Sequence, residues 1–195
     1  MTTLRVPGFL SQAVLRRLSA AEFDRLVAAG VFAEDEPLEL LDGYLVTKMP
    51  KNPPHDSCLQ LLEEALRPLL PTGWCLRNQS TLLLPTSRPE PDLCVVRGSG
   101  RSYVAQHPSA GDVGLLIEVA DTSLSLDRLD KARLYAEAGI DIYWIVNFVD
   151  RQIEVHTSPS GQGYGQFSVY SATQAVPVLL EGVPLASLPV HEVLP

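Results

Sequence analysis

Leu115-Leu-Ile-Glu-Val-Ala-Asp-Thr-Ser-Leu-Ser-Leu-Asp-Arg-Leu-Asp-Lys131 is the stretch whose reading decides the fold. Its first six residues are apolar on both strand faces apart from Glu118, the pattern of a strand covered by helices on each side. Asp121-Thr-Ser123 then supplies loop and cap-forming residues, and roughly Ser125 to Ala138 reads as a helix ended by Gly139. Ile140-Asp-Ile-Tyr-Trp-Ile-Val146 follows as another strand. Strand, helix and strand in that succession imply a crossover and a parallel pair.

Working outward, Pro89-Glu-Pro-Asp-Leu-Cys-Val-Val96 is a second strand-like segment, and it begins where the first one ends, with an acid. Before it, Ser19 and Glu22 form a capping box into a first helix that Gly30 should end. Asp42-Gly43 between two apolar segments within 34–49 predicts a hairpin, with Glu39 and Leu41 sharing one face of its first strand. His55, Cys58, Leu59, Leu62, Leu66 and Leu69 recur at helical spacing, and Pro68 and Pro71 close that second helix. Trp74-Cys-Leu76 and Ser80 to Leu84 read as strands, and Arg97 to Gly111 as a loop long enough to overhang a site. After Val146, the segments 151–156 and 164–170 predict a β-hairpin; the proline-separated pieces at the C-terminus stay unassigned.

Length and composition bound the function. At 195 residues, 46% hydrophobic and 19% charged, the chain fits one soluble globular domain with a substantial core. No apolar run is long enough to span a membrane, and the first residues lack the basic-then-apolar form of a signal peptide, so the cytoplasm is the expected location. Cys58, Cys75 and Cys94 have no paired spacing and read as buried thiols. A net charge of −8 argues against a generic nucleic-acid coating protein, whose affinity comes from clustered Lys and Arg.

Glu118 is the sharpest oddity. An unpaired carboxylate is costly to bury, so it requires a cation, a proton or a lysine; an internal salt bridge would explain it equally well. Asp92 changes the balance. Two carboxylates at the ends of adjacent strands would offer hard oxygens to Mg²⁺, which keeps several waters and binds phosphate at its open positions. Such an ion polarises a phosphoryl oxygen and lowers the pKa of an attacking water. Lys131 stands four residues after Asp127, the order of an ordinary exposed pair, yet it shares a helical stripe with Leu134, Tyr135 and Ala138. From that stripe its ammonium could position or help deprotonate the water, or offset charge on the phosphate. His55 at a helix start could contact a phosphate, although a local cap or surface role is commoner there. His107, His156 and His191 lack ligand-like spacing, and no nucleophile-elbow sequence supports a Ser/His/Asp site.

Glu39-Leu-Leu-Asp-Gly43, His55 after a proline-rich loop, Pro89-Glu-Pro-Asp-Leu93, Leu116-Ile-Glu-Val119, Asp127-Arg-Leu-Asp-Lys131 and Gly139-Ile-Asp-Ile-Tyr-Trp-Ile-Val146 occur in an order that resembles the Uma-type family of restriction-endonuclease-like proteins, in the PD-(D/E)XK nuclease superfamily. The resemblance covers roughly residues 19–157. It implies an α/β restriction-endonuclease-like fold, a mixed central sheet flanked by helices, in a single nuclease-like domain over 1–195. It also implies a Mg²⁺ site (Mn²⁺ being an alternative ion) at the sheet edge, with Asp92 and Glu118 as the two metal-binding acids and Glu39 as an additional acid. The superfamily's usual lysine, two residues after the second acid, is Ala120 here; the Uma-type pattern has it on the next helix, where Lys131 stands. Asn147 departs from the aspartate more common in the family.

The function expected is hydrolysis of DNA phosphodiester bonds by a metal-activated water, in a homodimer, since two-fold dimers are the commonest assembly and suit double-strand cutting. The alternative is a catalytically idle homodimeric DNA-binding or accessory protein that keeps the nuclease fold. A small-molecule hydrolase using the acids as a proton-transfer pair is a third class, marked by activity that survives EDTA.

Overall fold

The computed structural model describes residues 16–33 and 36–195; the signal-peptide reading of the first residues and the start of the segment 34–49 lie outside them. Helix α1 (Ala20–Ala28) starts at the Ser19/Glu22 capping box. It stops where Gly30 takes φ +66° and donates to Val27 O. Strands β1 (Leu38–Leu41) and β2 (Tyr44–Thr47) pair antiparallel across Asp42-Gly43, whose φ values of 49° and 82° are those of a type I′ turn. Helix α2 (Pro53–Leu66) is capped by Asn52 and buries Cys58, Leu59, Leu62 and Leu66, the stripe its periodicity predicts.

Six strands form the central sheet in the order β3-β4-β5-β6-β7-β8. These are β3 (Trp74–Asn78), β4 (Leu93–Arg97), β5 (Val113–Ala120), β6 (Ile142–Asn147), β7 (Gln152–Ser160) and β8 (Gly163–Ser171). β5 and β6 are parallel, as the strand–helix–strand order implies, and the other neighbours are antiparallel, so the sheet is mixed, as the family resemblance implies. The crossover is helical from 124 to 137 but not uniform: α3 (Leu124–Leu126) passes through a π-helical turn at Asp127–Lys131 into α4 (Ala132–Glu137). The Ala132 N–H bonds to Asp127 O, five residues back.

Alternation along β5 sorts the core into two layers. Leu115, Ile117 and Val119 face α2, while Leu116 and Ala120 face α4 with Tyr135, Tyr143 and Ile145. The α2 layer is completed by the proline-separated C-terminal pieces, which form a hairpin of β9 (Ala175–Leu180) and β10 (Val183–Pro189). Its Val176, Val178, Leu180 and Leu188 pack into that layer.

Two expectations need correction. Ser80 to Leu84 is not a strand: the segment makes one isolated bridge, Leu83 to Ser109. Leu82 donates to Pro89 O, and the neighbouring chain cannot return a ladder because Pro89 and Pro91 have no N–H. The 97–111 loop does not overhang the acids. It joins the end of β4 to the start of β5, whereas Asp92 precedes β4 and Glu118 is near the end of β5, and none of its residues lines the cleft described below.

Gly114 in β5 lets the edge elements close in. A Cβ there would stand 2.7 Å from a Trp74 ring carbon and 2.8 Å from Leu180 Cδ2. Gly114→Ala is expected to cost about 1–3 kcal/mol through overpacking. A lowered urea midpoint at unchanged m-value would bear this out, and a wild-type midpoint would refute the close approach.

Candidate active site

The register of β4 against β5 pairs Leu93 with Ile117 and Cys94 with Leu116. Continued by one residue, it sets Asp92 opposite Glu118, on the same face of the sheet. The Val119 N–H donates to Asp92 Oδ2 at 2.9 Å, tying the Asp92 carboxylate to β5. His55 Nε2 lies 3.2 Å from the same oxygen, and Gln79 Nε2 donates to Oδ1 at 3.1 Å. Burial alone would raise the Asp92 pKa, but these donors outweigh it and hold the acid below the usual carboxylate range.

Glu118 points to the α4 layer. Its Oε1 accepts from Lys131 Nζ at 2.9 Å and from the Tyr135 hydroxyl at 2.7 Å. Lys131 Nζ also lies 3.7 Å from Glu39 Oε2 and 3.9 Å from Asp127 Oδ1. Asp127 and Lys131, which could have formed a surface pair, are 1% and 6% exposed because the π turn carries both inward. π turns inserted in α-helices are frequent at functional sites. Glu39 is anchored by the Glu90 N–H, which donates to its Oε1 at 2.6 Å, and Asp127 by the Ser123 hydroxyl at 2.6 Å.

Burial raises the Glu118 pKa, and Asp92, Asp127 and Glu39 add to that; Lys131 alone would lower it and is outweighed. Asp127 is raised by burial in the same way. Lys131 moves the other way from an isolated buried lysine: burial would lower it, but Glu118, Glu39 and Asp127 raise it, so the ammonium stays charged.

Asp92, Glu118, Glu39, Asp127, Lys131 and His55 thus line one cleft, bringing together all five residues singled out for chemistry. The anticipated role of His55 meets a different arrangement. Pro53 and Pro54 leave the start of α2 without two of its N–H groups, and the His55 N–H is taken by Asn52 Oδ1. The ring turns into the acid cluster, on Asp92, and leaves no amide nest for a phosphate there. Asp127 was legible only as a helix-surface partner of Lys131, and Tyr135 only as part of the same stripe. Gln79 was missed, and no motif around it marks it.

Among the described residues, no three His, Cys, Asp or Glu side chains are grouped as a ready-made metal cage. Mg²⁺ does not require one, since it takes one or two carboxylates and keeps waters. A carboxylate has about four acceptor positions. The described residues fill three on Asp92, leaving one on Oδ1, and leave Glu118 Oε2 without a donor. Three buried carboxylates (Glu39, Glu118 and Asp127) lie within 4 Å of Lys131, the one buried ammonium among the described residues, and a fourth, Asp92, lines the same cleft. Hard oxygens with spare acceptor positions, on acids that burial keeps from ionising without a counter-charge, fit a divalent cation.

A mixed central sheet flanked by helices is the fold of the restriction-endonuclease-like class. The chain belongs to the Uma2 family, described as "putative restriction endonuclease", whose profile matches residues 20–191 and so extends past residue 157 to include the C-terminal hairpin. The fold is also that of a crystal structure described as a "putative nuclease belonging to DUF820 from Anabaena variabilis ATCC 29413". That match has a TM-score of 0.67 at 13% identity, covering 90% of this chain and 97% of the other. No curated protein sequence matches this chain. Among the described residues no helix is long and apolar enough to cross a membrane.

The raised Glu118 pKa has a consequence for metal-free stability. Above its ordinary 4.5 the unfolded acid ionises while the folded one resists, so the unfolded state binds fewer protons and stability falls as pH rises through that window. Glu118→Gln removes the penalty, and in EDTA it is expected to be more stable than wild type by on the order of 1 kcal/mol at pH 8 and about equal near pH 4.5. Urea midpoints at the two pH values test this; a wild type that is more stable at pH 8 would contradict it.

Proposed function

We propose that the protein is a metal-dependent endonuclease that hydrolyses DNA phosphodiester bonds in the cleft formed by β1, the starts of β4 and α2, the end of β5 and the π turn. The observation that carries this reading is the surplus of buried carboxylate over cation around Lys131. Membership of the Uma2 family and the nuclease-like fold support it. Asp92 and Glu118 would hold Mg²⁺, or Mn²⁺ in its place, through the acceptor positions that protein donors leave open. When bound, such an ion supplies Lewis-acid charge at the phosphoryl oxygen and lowers the pKa of the attacking water.

The remaining work falls to side chains of the cleft. Lys131 is held protonated by three carboxylates, so it serves as a fixed positive charge that offsets charge on the phosphate and orients the water, in preference to acting as a base. Glu39 and Asp127 position that ammonium, and Tyr135 holds the shared Glu118 oxygen. His55 and Val119 N keep Asp92 ionised and in place. Lys48 and Lys51 line the same cleft and offer local positive charge to a backbone phosphate in a chain whose net charge is −8. A two-fold homodimer would present one such cleft to each strand of a duplex.

Supercoiled plasmid incubated with purified protein tests the proposal. Nicking is expected with Mg²⁺ or Mn²⁺ and not with EDTA, and it should fall by about 10²-fold or more in Asp92→Ala, Glu118→Ala and Lys131→Met. Nicking unchanged in those variants would come from a contaminant. DNA binding without metal-dependent nicking would favour the idle, accessory alternative.

A further inference from the structure

We propose that Gln79 is a positioning residue for Asp92, with Lys51 setting the orientation of its amide; this rests on the reading of the Asp92 and Glu118 cleft as a divalent-cation site. The register of β3 on β4 pairs Asn78 with Leu93, so Gln79, one residue beyond β3, stands opposite Asp92. Asp92 in turn stands opposite Glu118, and the three form a row across one end of the sheet. Gln79 grips Asp92 twice: its backbone N–H donates to the Asp92 carbonyl at 3.1 Å and its Nε2 to Oδ1 at 3.1 Å. The other end of the amide, Oε1, accepts from Lys51 Nζ. A flipped amide would put oxygen against the carboxylate and NH₂ against the ammonium, so only one orientation is attractive at both ends.

The backbone adds a second, independent observation. Gln79 has φ +41°, a left-handed conformation that is strained for a side chain without local hydrogen bonding of the Asn or Asp kind. Glycine would occupy the position more comfortably, yet only a side chain of this reach can bridge Lys51 and Asp92. Gln79 does not line the cleft, whereas Asp92 and Lys51 do, so it acts on a ligand through Asp92. With His55 and Val119 N on Oδ2, the Gln79 donor on Oδ1 completes a three-point hold that stops the carboxylate from rotating. Such partners of ligating groups govern how tightly a metal is held.

Mn²⁺ titrated calorimetrically into the purified full chain, beside thermal melting in EDTA, separates this role from a merely structural one. Gln79→Gly relieves the left-handed strain and is expected to melt at or above the wild-type temperature while binding Mn²⁺ about 10- to 100-fold more weakly. Gln79→Asn, which tolerates the backbone but falls short of Asp92, should show the same loss, and Lys51→Met a smaller one. Wild-type Mn²⁺ affinity in Gln79→Gly and Gln79→Asn would overturn this role alone. Failure of the wild-type chain to bind Mn²⁺, with Asp92→Ala indistinguishable from it, would overturn both this role and the cation site beneath it.

Discussion

Moving a carboxylate out of water costs several kcal/mol unless a counter-charge or a proton travels with it, and the described residues bury four in the cleft that holds one buried ammonium, three of them within 4 Å of it. They come from separate parts of the sequence: Glu39 from the β1–β2 hairpin, Asp92 from the turn ahead of β4, Glu118 from β5 and Asp127 from the π turn. Each is tethered by a donor that leaves it little room to withdraw: Glu90 N, Val119 N, Tyr135 and Ser123 respectively for Glu39, Asp92, Glu118 and Asp127. The burial that raises the Glu118 and Asp127 pKa values is therefore a property of the fold, and a divalent cation would take over the neutralisation that a proton otherwise supplies.

Sheet geometry makes the convergence possible. Alternation sends Ile117 and Val119 into the layer under α2 and leaves Glu118 in the layer under α4, from which Lys131 reaches it. A one-residue slip of β5 would exchange those faces. The parallel β5–β6 pair and the Gly114 contact with Trp74 and Leu180 both hold that register. The π turn supplies the last adjustment, since it sets Asp127 and Lys131, one α-helical repeat apart, on the buried side together.

Much of this was legible in the letters. The apolar run around Glu118, the acid heading Leu93 to Val96, and the strand–helix–strand order carried the parallel pair and the neighbouring acids, because period-two alternation and glycine stops are local signals, while the mixed sheet followed from the family resemblance. What escaped depends on partners distant in sequence. Ser80 to Leu84 has strand composition but faces prolines that cannot complete a ladder. His55 carries the marks of an anion contact until the two prolines ahead of it and the Asn52 cap are seen to use up the amides. Gln79 earns its place through a register and a backbone angle that no motif encodes.

A crystal of the full chain soaked in Mn²⁺ addresses the buried charge surplus most directly. A single anomalous peak is expected within about 2–2.3 Å of both Asp92 and Glu118 oxygens, with Lys131 still in contact with Glu118. A peak elsewhere, or none at full soaking with the two carboxylates unchanged, would contradict the assignment of a cation to this cleft.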